Sequence, residues 1–296
     1  MRRTVIVVLA LAVTVAGAGC KRKAPAGQAA AGDGGVATAP AADAGAPPRV
    51  TAAQLAAAFE QTCLAGDSEA CRSLGVMYAE GAGVPADPRR AMALYGQACD
   101  QGNAAACNNL GLVLLQGHGG DVDAVAARRW FSKSCEGKSL LGCRNLALTL
   151  ARGEGGPAEP ATAFQLLRGS CEGGLALACT NAGQMLAAGD GVPKDEPAAI
   201  PLFQTGCEGG DGAGCRLLGL AYLAGKGVPA GAAPAAVWLG KACDRGDALG
   251  CRWLSELHTS GRGVAKDEAK AAALRERACQ LGDATACPEP GPKPAP

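Results

Sequence analysis

The chain has 296 residues and a formal net charge of +1, which excludes a broad electrostatic claim on nucleic acid. Hydrophobic residues make up 48% of it, enough for a continuous core, yet aromatics are only 3%, while Gly numbers 44 and Cys 15. A core built on large side chains is thereby excluded, and alanine, leucine and cross-links have to take their place.

From the start, Met1-Arg2-Arg3 is basic, Thr4 to Ala16 is almost wholly apolar, and Gly17-Ala18-Gly19 is small, so residues 1–19 read as an export signal. The apolar core is too short for a permanent membrane helix. Cys20 follows directly and resembles the lipidated cysteine of bacterial lipoproteins, whose signal is cut just before a cysteine that receives acyl chains. That resemblance implies a membrane anchor at Cys20. Gly17 departs from the pattern, because that family usually has an aliphatic residue there. Plain secretion, with Ala16-Gly17-Ala18 as the cleavage site, would leave Cys20 a stray thiol, a liability in an oxidising compartment. Residues 20–50 hold this cysteine and then a run of Ala, Gly and Pro with few large apolar residues. The run reads as a disordered tether with a reach of about 30 Å.

From residue 51 to 287 one ruler governs the chain. Fourteen cysteines form seven C-x7-C pairs whose first members, Cys63, Cys99, Cys135, Cys171, Cys207, Cys243 and Cys279, recur every 36 residues. A strict period of this size marks a solenoid whose units bury their apolar faces against their neighbours. Within one unit, Cys71, Leu74, Gly75 and Tyr78 share one helical face, and Ala91, Leu94, Tyr95 and Ala98 share another. Between them, Gly81-Ala82-Gly83 allows a helix exit, Asp87 can cap the next helix and Pro88 suits its first position. The same glycines recur through Gly261 and Gly263, and an alanine series runs from Ala91 to Ala271. The repeated Gly-x-Gly is not followed by Gly-Lys-Ser/Thr, so it reads as helix termination rather than a phosphate cradle. After Cys287 the Pro-rich residues 288–296 read as a disordered tail.

Export makes disulfides the expected state of the paired cysteines. Zinc is the competing reading, but its ligands usually lie two to four residues apart, often with histidine, and the chain has only His118 and His258. No metal site is expected. Residues eight apart on one helix would be separated by about 12 Å, so the chain must turn inside each pair. Gly66-Asp67 and its copies supply that turn. The pairing that follows is Cys63 with Cys71, Cys99 with Cys107, Cys135 with Cys143, Cys171 with Cys179, Cys207 with Cys215, Cys243 with Cys251 and Cys279 with Cys287. Joining Cys71 to Cys99 instead, and so on along the array, would strand Cys63 and Cys287.

The run A-C-R-S-L-G-V-M-Y-A-E-G-A-G-V-P-A-D and the later Y-G-Q-A-C-D-Q-G resemble the Sel-one-like repeat, a relative of the tetratricopeptide repeat. The internal C-x7-C pair resembles the bacterial secreted helical cysteine-rich subgroup. The resemblance covers residues 51–287 and implies an all-α fold, a right-handed α-solenoid of antiparallel helix pairs whose concave surface binds peptides or proteins. Three places depart from the pattern: Gly120-Asp121 replaces Val-Pro, Leu175 replaces a capping residue, and Pro201 falls inside a helix, where a local kink is expected.

The second cysteine of each pair is followed by Arg72, Asn108, Arg144, Thr180, Arg216 and Arg252, then by Ser73, Asn109, Asn145, Asn181, Leu217 and Trp253. The matching positions face the groove in the tetratricopeptide fold. The resemblance therefore implies a candidate ligand groove of guanidinium and amide donors at Arg72, Asn109, Arg144, Asn145, Asn181, Arg216 and Arg252. Such donors suit carboxylates or peptide backbone. Solvated arginines, and asparagines that merely join neighbouring helices, are the plainer alternative. Trp130, Trp238 and His258 fall at positions held by leucine or tyrosine elsewhere and read as core.

The functional expectation is an exported scaffold in the bacterial cell envelope, on its periplasmic or cell-surface side, that binds an unidentified protein or peptide, with no nucleic acid and no cofactor. The rival, implied by the cysteine-rich subgroup, is β-lactam binding or weak β-lactam hydrolysis. Against it, no serine has lysine three residues later, and neither Lys-Thr-Gly nor Gly-x-Ser-x-Gly occurs, so no catalytic residue can be named.

Overall fold

Helix punctuation sets the architecture. Runs of thirteen helix-forming residues alternate with a three-residue turn and a seven-residue loop, each opening on a capping residue and closing on a residue that releases the chain. The computed structural model describes residues 50–287; the expected export signal, Cys20, nearly all of the expected tether and the expected tail lie outside the described residues. In chain order the helices are α1 Ala52–Leu64, α2 Ser68–Glu80, α3 Pro88–Asp100, α4 Ala104–Gln116, α5 Ala124–Glu136, α6 Leu140–Arg152 and α7 Pro160–Glu172. There follow α8 Ala176–Ala188, α9 Glu196–Glu208, α10 Gly212–Ala224, α11 Ala232–Asp244, α12 Ala248–Ser260 and α13 Glu268–Gln280. A 3-10 turn, Ala284–Ala286, stands where the next helix would begin. The described residues contain no strand.

The even-numbered helices end on a left-handed glycine, from Gly81 to Gly261, with φ of 67 to 80°. Most begin on a side-chain cap: Asp67, Asn103, Ser139, Asp211 and Asp247 each accept a backbone N–H of the first turn. Leu175, at the start of α8, makes no such bond, and packs instead against the apolar cluster around Leu146 and Leu167. At α3 the expected pair is in place, Asp87 capping and Pro88 in the first turn. Helix α9 runs unbroken through Pro201, which lies on its exposed side. The carbonyl of Pro201 accepts the Thr205 hydroxyl at 2.9 Å.

Each helix packs on the next in sequence. The next-but-one pairs in clear contact are α4 with α6, α8 with α10 and α10 with α12, all even-numbered. The even helices are thus the more tightly spaced row, and the tighter row of a curved array is its inner one. Small residues let the rows meet. A Cβ on Gly75 would lie 2.6 Å from the Tyr95 ring, and one on Gly111 would lie 2.6 Å from Phe131. The alanine series Ala91, Ala127, Ala163, Ala199, Ala235 and Ala271 is buried throughout.

All seven cysteine pairs are disulfides at the C-x7-C spacing, with Cα atoms 4.4 to 4.8 Å apart. This settles the choice against zinc and against the longer pairing. Each bridge joins an odd helix to the following even one, or to the final 3-10 turn, across the three-residue turn. The half-buried Trp130 packs on the first core clusters, and Trp238 stands by Phe203 and Cys207. His258 is buried and donates from Nδ1 to the Ala265 carbonyl at 3.1 Å.

Candidate ligand groove

In the first six pairs the residue after the second cysteine sits in the first half of an even helix; there Asn108 and Thr180 are buried and the four arginines half-buried. Their partners are specific. Arg72 donates from Nε to both oxygens of Glu69 at 3.0 Å. Glu69 also accepts from Asn103, the cap of α4, at 3.1 Å. Arg216 donates from Nε to both oxygens of Asp247, the cap of α12, at 3.1 and 3.0 Å. Arg252 pairs with Asp283 at 3.1 Å and donates to the Thr285 hydroxyl at 2.5 Å. Arg216 and Arg252 therefore tie one repeat to the capping group of the next, and Arg72 does so only through Glu69.

Arg144 breaks the rule, and the sequence says why. Arg216 reaches a residue 31 positions on, as does Arg252. Counting 31 from Arg144 gives Leu175, the one inner-row cap that has no polar side chain. Among the described residues no carboxylate forms an ion pair with Arg144. Its Nε donates to Asn181 Oδ1 at 2.8 Å and its Nη1 to Asn145 Oδ1 at 3.2 Å. The amide groups extend the network inward to the buried Asn108 and out to the exposed Gln184. Asn145 donates to Asn108 Oδ1 at 2.7 Å, and Asn181 donates to Gln184 Oε1 at 3.2 Å.

A half-buried cation thus heads a strip of amides that runs over α4, α6 and α8. Burial lowers the Arg144 guanidinium from its ordinary value, Asp211 opposing and Arg152 reinforcing the shift; arginine nonetheless stays charged. Elsewhere the shifts follow the pairings. The Arg72 hydrogen bond holds the Glu69 carboxyl below its usual range against its own burial. Burial raises the phenol of Tyr95, while the Arg72 charge works the other way.

Sequence reasoning placed Arg72, Asn109, Arg144, Asn145, Asn181, Arg216 and Arg252 on one side. The structure brings Asn108, Arg144, Asn145 and Asn181 into one hydrogen-bonded network and assigns Arg72, Arg216 and Arg252 to separate carboxylate pairs. Asn108, buried, and Gln184 belong to the network and were not among the candidates. A spacing of 31 between an arginine and a capping aspartate marks Arg216 and Arg252 but not Arg72, whose carboxylate, Glu69, lies three residues before it in the same helix.

A family model described as Sel1 repeat matches residues 68–103, 104–139, 140–175, 176–211, 212–247 and 248–283. Among solved structures, a protective antigen of uropathogenic Escherichia coli that displays an SLR fold is 30% identical, with a TM-score of 0.63. The alignment spans 80% of this chain and 51% of that one. A Sel1 repeat protein of Oxalobacter formigenes is 29% identical over 79% of this chain and 66% of its own, with a TM-score of 0.68. Cysteine rich protein B of Helicobacter pylori is 30% identical over 42% of this chain and 94% of its own, with a TM-score of 0.36. No curated protein matches the chain.

Proposed function

The chain belongs to the Sel1 repeat family, and from that premise we propose that it is an exported scaffold whose inner row captures an extended, carboxylate-bearing segment of another protein. Stacked helix pairs of this kind present long binding surfaces for protein partners. The observation that carries the finer reading is Arg144. A charged guanidinium set among amides, with no carboxylate paired to it among the described residues, is a receptor for a carboxylate from outside, and the adjoining amides suit peptide backbone.

Seven disulfides support an oxidising compartment, since such bonds are rare in the cytosol. No described helix is long and apolar enough to cross a membrane. Acylation of Cys20 is the anchor included in the proposal. The test is an array of random heptapeptides probed with the oxidised protein, followed by titration of the retained peptides. Arg144→Glu is expected to weaken binding about tenfold or more, with helix content unchanged and the melting temperature only a few degrees lower. Equal affinity for the two proteins would overturn the assignment of Arg144.

A further inference from the structure

In the last two repeats the inner row changes character. The position held by Asn109, Asn145 and Asn181 becomes Leu217 on α10 and Trp253 on α12. Around these two, with Leu220 and the α9 residue Ile200, lies an open cavity of about 670 Å³. Leu217, Leu220 and Trp253 are half-buried, so each keeps apolar surface facing the opening. That volume is of ligand-pocket size and exceeds what one small side chain would fill.

The rim is cationic. Lys226 and Arg262 both line the cavity. They hold equivalent places in successive Gly-x-Gly loops, both are exposed, and neither enters an ion pair among the described residues. One acidic residue, Glu196, also lines the cavity. Lys194 pairs with it, Nζ 2.9 Å from its carboxylate, and the Lys226 charge acts on it from further away without forming an ion pair.

The cavity is continuous with the amide strip. Gln184, the last member of the relay Arg144, Asn181, Gln184, is itself a wall of the cavity. A segment lying on the strip is therefore delivered to an apolar hole beside two unpaired cations.

We propose that this cavity is the specificity pocket of the groove, and that it takes a bulky apolar side chain of a peptide next to a carboxylate, which Lys226 and Arg262 hold at the rim. The inference rests on the peptide-capturing reading above and adds to it the chemistry of the preferred segment. The amides of repeats two to four grip backbone without regard to side chain, while the pocket selects. The carboxylate can come from an aspartate or glutamate or from the end of a chain, because both present the same two oxygens.

The random heptapeptide array distinguishes these sources when printed twice, with free terminal carboxylates and with terminal amides. Retained peptides are expected to carry Leu, Phe or Trp beside an acidic residue, or as the last residue on the carboxylate print alone. Titration of these peptides is expected to show a loss of about 30-fold for Trp253→Ala. The double variant Lys226→Glu/Arg262→Glu, whose positions are exposed and leave the core intact, should lose a similar factor. Peptides that lose affinity with Arg144→Glu but keep it with both pocket variants would overturn the pocket and leave the scaffold reading in place. Loss with the pocket variants alone would uphold the pocket and sink the role of Arg144. Retention of no peptide on either print would overturn both.

Discussion

Arg144 and Arg216 occupy the same position two repeats apart, and their replacement is expected to have separate consequences. Arg216 and Asp247 are largely shielded from solvent, with side-chain exposures of 18% and 12%. Arg216→Ala should therefore lower stability by about 1.5 kcal/mol, the range for hydrogen bonds to charged groups, read as a fall in the denaturant midpoint. Arg144, bonded only to amides, should contribute less to stability and more to affinity. A pH dependence follows from the pairs at the two ends. The Arg72 hydrogen bond keeps Glu69 below its ordinary value, and hydrogen bonds from Thr285, with Arg252, do the same for Asp283. A carboxyl whose folded pKa is depressed stabilises the fold fully above its unfolded value, about pH 4, and this is lost as the pH falls through the folded value. The melting temperature should be flat from neutrality down to about pH 5 and drop below pH 4; Arg72→Ala should make the acid limb shallower.

At the level of helices and turns, one residue stands in the wrong place for its backbone. Gly66, Gly102, Gly174, Gly210, Gly246 and Gly282 all take positive φ just before a capping position, and Lys138 does so at φ 64° where the series needs glycine. A side chain in that conformation costs about 1 to 2 kcal/mol, and glycine's unfolded-state entropy takes back part of the gain. Lys138→Gly is thus expected to raise stability by about 0.5 to 1 kcal/mol in chemical denaturation. Gly75→Ala should do the reverse, because the added methyl would sit 2.6 Å from the Tyr95 ring and force α2 away from α3. The helices themselves were legible in the sequence, since Gly81, Asp87 and Pro88 mark ends by local chemistry that needs no neighbour. Pairings such as Arg216 with Asp247 were not. They depend on how far one even helix lies from the next, a distance fixed by packing of Gly75 and its equivalents against the row behind. Pro201 removes one backbone N–H on the exposed side, and α9 continues through it.

For the whole array, stability is a sum of repeats and of the interfaces between them, so a local lesion should have a graded effect. Replacing Cys207 and Cys215 together by alanine is expected to cost about 2 to 3 kcal/mol, with the remaining bridges intact by mass. A second transition appearing in the unfolding curve would show that the two halves have become separable. The fold was readable at this scale because a strict period is a property of sequence alone. The change from Asn181 to Leu217 and Trp253 was also visible, but its meaning waited on the cavity those side chains enclose. The disulfides carry one more consequence. Every bridge joins a cysteine to the next one in the chain, so no bond has to wait for a distant segment and none encloses another. On the proposed export route, with Cys20 acylated, each cysteine of the array meets its correct partner before any wrong free thiol is in reach. Oxidation can then proceed in order from Cys63 to Cys287, one closed bracket at a time, with little need for an isomerase to reshuffle errors.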